Sequence, residues 1–195
     1  MKPDSSSRRY NIHIGQTLVL TRIALLTALV SVGRLSFSFL PNVQPMTVLL
    51  VCITLYYGWR HGLVVSLLSV LITNMTLGMG PWTFAQMAGY SVLILLTALL
   101  EESHESIPLP VLQVYAAFLG ILYGLIVSLV QAPIFGWNIF IPYYLSGIGY
   151  DFLHAFGNLA FMPLLYPVCM RVFRLTDKSS IRQHSGKKIK GETYE

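Results

Sequence analysis

The stretch NMTLGMGPWTFAQM, residues 74–87, places two glycines, a proline, a tryptophan and two amides between two long apolar runs. Gly78 and Gly80 permit backbone conformations closed to other residues, Pro81 suits the first turn of a helix, and Trp82 offers a flat apolar face with one donor. The stretch predicts the end of one helix, an irregular connection and the start of the next. A connection of this make-up is a candidate ligand lid.

The apolar runs on either side recur along the 195-residue chain, which is 54% hydrophobic and only 11% charged. Mean hydropathy is +0.63. An ordinary soluble domain is far less apolar, and runs of about 20 such residues cross a hydrocarbon core of about 30 Å. The expected class is an all-α membrane protein with six transmembrane helices, over 17–40, 44–57, 61–77, 83–100, 110–131 and 143–173. Residues 58–62, Gly-Trp-Arg-His-Gly, break an otherwise continuous apolar stretch and predict a tight reversal. The expected organisation is a polar N-terminal segment 1–16, a six-helix membrane domain 17–174 and a disordered tail 175–195, with both end segments cytoplasmic. Residues 1–16 are polar and the first apolar run has spanning length, so no cleaved signal peptide is expected.

Arg8 and Arg9 precede the first run, Arg60 lies in the second connection, and Arg171, Arg174 and Lys178 follow the last. The positive-inside rule then puts both termini and the Arg60 turn in the cytoplasm, which six crossings satisfy. The net charge of +5 comes from these flanks and is not interleaved with aromatics, so no nucleic-acid surface is expected. Cys52 and Cys169 lie inside apolar runs without a partner motif and read as small buried hydrophobes.

Three connections fall on the external side: 34–47, 74–86 and 131–144. The first carries Asn42 and Gln44 between Pro41 and Pro45, where proline frees backbone and amide groups for other partners, a bound solute among them. The third gathers Phe135, Trp137, Phe140, Tyr143 and Tyr144 beside Asn138, which fits either an interfacial aromatic belt or a pocket wall. In the last helix Asp151, His154 and Asn158 fall at about 0°, 300° and 340°, on one face. Ionisable groups in a membrane helix turn to a protein interior or a wet cavity, so Asp151 and His154 are functional candidates. Arg34, near the outer end of the first helix, is a candidate partner for Asp151, and direct ligand contact is the alternative. No third ligand accompanies Asp151 and His154 for a metal, and no nucleophile motif supports a hydrolase. Ala24 and Ala28 form a small-xxx-small strip that fits close packing, within the chain or against another protein. No phosphate-binding glycine loop followed by lysine is present, so uphill transport would need a partner or an ion gradient.

Taken together, the Ala24-xxx-Ala28 strip, GRLSFSFLPNVQP, NMTLGMGPWTFAQM and YDFLHAFGN make residues 17–174 resemble the substrate-binding S component of an energy-coupling factor (ECF) vitamin transporter. Among S components the likeness is strongest to the cobalamin-type, CbrT-like branch. The resemblance implies a six-helix bundle in a bacterial cell membrane, without catalysis, metal or cofactor, that binds a vitamin at its outer face. It implies an EcfT membrane scaffold and two EcfA-type ATPases as partners, inward delivery by toppling, and Ala24 and Ala28 facing EcfT. It also implies a vitamin seated under the three outer connections, with Asn74, Trp82 and Gln86 as contacts. The implied ligand is cobalamin; pantothenate or a pyrimidine precursor fits the same chemistry. Other function classes are a stand-alone proton-coupled carrier titrating at Asp151 and an intramembrane enzyme using Asp151 and His154 as acid and base.

Overall fold

A computed structural model describes the backbone of residues 5–191 and the side chains of residues 16–177 apart from Phe135 and Ile139. Among the described residues the chain is all-helical. Six α-helices follow one another: α1 (Ser5–Ser36), α2 (Met46–Tyr57), α3 (Trp59–Leu77), α4 (Pro81–Ala98), α5 (Leu109–Phe135) and α6 (Phe140–Gly191), with 3₁₀ turns at His104–Ser106 and Trp137–Ile139. Four segments are long and apolar enough to cross a membrane: Gln16–Ser36, Trp59–Leu77, Leu109–Ile134 and Phe140–Asp177. The chain is a helical multi-pass membrane protein.

Most helix ends lie within a few residues of where composition places them, with two differences. The first helix begins at Ser5, well before the expected 17. The last continues beyond the expected 173 to Gly191, because the polar segment after it has no proline or early glycine to end it. Residues 192–195 of the expected disordered tail, and 1–4 of the N-terminal segment, lie outside the described residues. The second helix is short, as its expected range implies: 12 residues rise about 18 Å, less than a core of about 30 Å.

That short helix is the centre of the fold. Every residue from Met46 to Leu55 is buried, and α2 packs against each of the other five helices. A helix apolar on all faces has no preferred side to turn outward, so it is stable only when wrapped. The wrapping is sequential: α1 lies on α3, α3 on α4, α4 on α5 and α5 on α6. Leu50 and Ile53 of α2, Val30 of α1, Val65 and Val70 of α3, Leu93 of α4, Leu119 of α5 and Met162 of α6 form the shared core. Gly58 alone joins α2 to α3, at φ +90°, with its N–H donating to the Thr54 carbonyl. Cys52 and Cys169 are buried and unbridged, as expected.

Charges at one end of the bundle are paired. Arg22 donates to Asp177 at 2.8 Å and lies over the Tyr57 ring, and Arg174 donates to Glu105 at 2.7 Å. Both pairs are partly exposed, so each contributes little to stability.

Candidate functional site

The other end gathers the C-terminal turns of α1 and α3 and the first turns of α4. Gly78 ends α3 at φ +108°, a conformation that side chains rarely adopt, and its N–H donates to the Asn74 carbonyl. Gly80 is extended, Pro81 occupies the first turn of α4, and the Trp82 ring lies back against Gly80. The glycines, proline and tryptophan thus make a compact corner that carries Asn74 and Gln86 towards each other.

Arg34 is the hub of that corner and is only 6% exposed. Its Nη1 donates to Thr73 Oγ1 at 2.6 Å and its Nη2 to Gln86 Oε1 at 3.1 Å. Asn74 Nδ2 donates to the same Gln86 oxygen at 2.9 Å and to Thr83 Oγ1 at 3.0 Å. Thr73 passes its own proton to the Ser69 carbonyl. The network ties α1, α3 and α4 together, and every acceptor in it is neutral.

A second polar group lies where α2, α4, α5 and α6 meet. His154 Nε2 and Thr47 Oγ1 share a hydrogen bond of 2.7 Å, with the Tyr123 ring edge-on to His154 at 5.2 Å. Tyr90 stacks at a tilt on Tyr123 at 4.7 Å, and its buried hydroxyl, beside Thr47 and Tyr123, makes no hydrogen bond of ordinary geometry. Asn158 donates to the Ala116 carbonyl at 3.0 Å while its own Oδ1 is buried without a partner. Both groups lie towards the same end of the bundle, where they form a polar seam through its apolar interior.

Asp151, also 6% exposed, does not complete this seam as expected. Its carboxylate lies against Gly124 of α5, in space that any side chain at 124 would fill. Among the described residues no ion pair joins it to Arg34. The expected Arg34–Asp151 pair is therefore absent, for a geometric reason: Arg34 turns from α1 towards α3 and α4, while Asp151 turns from α6 towards α5. Asp151 and His154 share a buried helix face as predicted, yet His154 meets Thr47 while Asp151 lies against Gly124.

The remaining expected residues are distributed differently. Asn42 adopts φ +56° and donates to the Tyr150 carbonyl at 3.3 Å, clasping the α1–α2 connection to α6, and Gln44 is half-buried beside it in sequence. Trp82 is exposed at the corner. Trp137 and Asn138 are exposed in the turn between α5 and α6, and Tyr143 is exposed in the first turn of α6. Ala24 and Ala28 are exposed too, on a face of α1 that also shows Leu25, Leu29 and Val32. The alanine strip therefore takes no part in the buried packing of the bundle.

Thr47, Thr73, Thr83, Tyr90 and Tyr123 belong to the seam but are absent from the sequence-derived candidates. Thr73 had a usable signal in its position beside Asn74 at the end of an apolar run. Tyr123 lies within Gly120-Ile-Leu-Tyr-Gly124, a small-xxx-small step that marks a close helix approach. A Cβ at Gly120 would meet the α6 backbone at Ala155, so α5 and α6 touch there.

No group of three or more His, Cys, Asp or Glu suited to a metal occurs among the described residues. No protein-family model, curated protein or solved structure matches the chain. Fold and site together define a helical membrane protein with a buried, largely neutral hydrogen-bonding seam at one end.

Proposed function

We propose that the chain is the vitamin-binding S component of an ECF-type importer, with cobalamin as its ligand. Six crossings would set both termini in the cytoplasm of a bacterial cell and the Arg34 end outside. The observation that carries the reading is the Arg34 network, in which a buried cation and two amides from three helices converge at one end. Binding sites combine apolar walls with a few placed polar groups in this way. An amide-rich corrinoid offers many carbonyl acceptors to such donors.

The exposed face of α1 supports the partner assignment. Ala24 and Ala28 leave a shallow strip between Leu25, Leu29 and Val32, open to a helix of an EcfT scaffold, with two EcfA-type ATPases supplying the energy. Calorimetric titration of the purified chain with cobalamin, pantothenate and a pyrimidine precursor tests the ligand. Tight one-to-one heat with cobalamin alone is expected; heat with another vitamin moves the ligand but keeps the class, and silence from all three removes the reading. Ala24→Leu and Ala28→Leu are expected to abolish partner-dependent uptake in cells while leaving cobalamin binding intact.

A second reading follows from Asp151, a buried carboxylate without a charged partner among the described residues, which suits a stand-alone proton-coupled carrier. Uptake into vesicles containing this chain alone, lost in Asp151→Asn, would favour it.

A further inference from the structure

The acidic residues among the described side chains leave Arg34 without a counter-charge. There are eight Asp and Glu in all. Asp4, Glu192 and Glu195 lie outside the described side chains. Glu101, Glu102 and Glu105 lie in the α4–α5 connection, at the opposite end, and Asp177 is held by Arg22 there. Asp151 is thus the sole described carboxylate at the Arg34 end, and it lies against Gly124 instead. A buried guanidinium held only by neutral acceptors is under-compensated, since buried charges are normally paired.

The network around Arg34 also has a polarity. Arginine only donates, so the Gln86 atom facing it must be the amide oxygen, and Asn74 donates to that same oxygen. With its oxygen doubly occupied, Gln86 has only its Nε2 hydrogens left to offer. Thr73 donates to the Ser69 carbonyl while accepting from Arg34. The corner therefore presents donors: the unused N–H groups of Arg34 and the amide N–H₂ of Gln86. A guanidinium fork beside an amide donor matches a carboxylate or phosphodiester, whose oxygens only accept.

From this geometry we infer that Arg34 and Gln86 form an anion-recognition point, and that the transported solute carries an anionic oxygen group which supplies the missing counter-charge. The inference rests on the proposed role of the chain as a vitamin-binding subunit and names the group of the vitamin that Arg34 holds.

Two matched ligand pairs test it on the purified full-length chain. Cobalamin carries a phosphodiester, and cobinamide is the same corrin without the nucleotide and its phosphodiester. Pantothenate carries a carboxylate, and panthenol has an alcohol in its place. The wild-type chain is expected to prefer the anionic member of one pair by about 10- to 150-fold, the range of a charge-assisted hydrogen-bond pair. Arg34→Gln is expected to lower the affinity for the anionic member far more than that for the neutral member and so erase the preference, with a thermal melt reporting that the variant is folded. Arg34→Lys is expected to fall between. Equal binding of both members by the wild type, or an equal loss of both in Arg34→Gln, would overturn the anion-recognition point while the binding role stands. Failure of all four ligands would overturn the anion-recognition point, and silence from the pyrimidine precursor as well would overturn both.

Discussion

The two ends of this bundle treat arginine differently. At one end Arg22 and Arg174 are partly exposed and each meets a carboxylate of the chain within 2.8 Å. At the other, Arg34 and Asp151 are each only 6% exposed and form no ion pair among the described residues. Water already solvates the first pair of arginines, so their ion pairs add little. The second set is buried without a counter-ion among the described residues, at a place where an outside group could offset the cost. A charge left open in the interior points to function more strongly than one closed at the surface.

This contrast is easiest to break at Gln86. Gln86→Glu would place a carboxylate where an amide oxygen already sits 3.1 Å from Arg34 Nη2, making the open end resemble the closed one. Affinity for an anionic ligand, read by calorimetry, is expected to fall about 10- to 150-fold, with no loss of melting temperature. A smaller effect is expected from Gly124→Ala, whose new methyl would occupy the space of the Asp151 carboxylate. Overpacking of this kind costs about 1–3 kcal/mol, visible as a lower melting temperature in detergent; an unchanged melt would mean that Asp151 moves freely. At the closed end, Arg174→Gln is expected to change stability by no more than about 1 kcal/mol and to leave ligand affinity alone. A large loss of binding in that variant would erase the distinction between the ends.

Most of the helices were legible because lipid-length apolar runs are punctuated by strong breakers: Gly58, Gly78-Met79-Gly80-Pro81 and Gly136. The central place of α2 was not. A segment apolar on every face has no periodicity to tell which neighbours it meets, and its shortness reads equally as a weak crossing or a buried core helix. At the site, Arg34, Asn74 and Gln86 were legible as polar residues near helix ends, and the structure joins all three. The Arg34–Asp151 pair was expected because both lie towards the same end. Level along the bundle does not fix direction around each helix, and α1 and α6 turn these two side chains to different neighbours. Tyr90 and Tyr123 escaped notice because a tyrosine inside an apolar run reads as bulk; their meeting depends on α4 and α5 lying side by side.

The burial of α2 has a consequence for biogenesis. A 12-residue segment is too short to partition into a bilayer as an independent span, and its one-residue link to α3 makes the two enter as a helical hairpin. Because α2 touches α4, α5 and α6 as well, its final surroundings exist only after the last helix has left the ribosome. Until then its apolar surface must be sheltered by lipid or by the insertion machinery, so a nascent chain cut short before α6 would expose this helix as a quality-control signal.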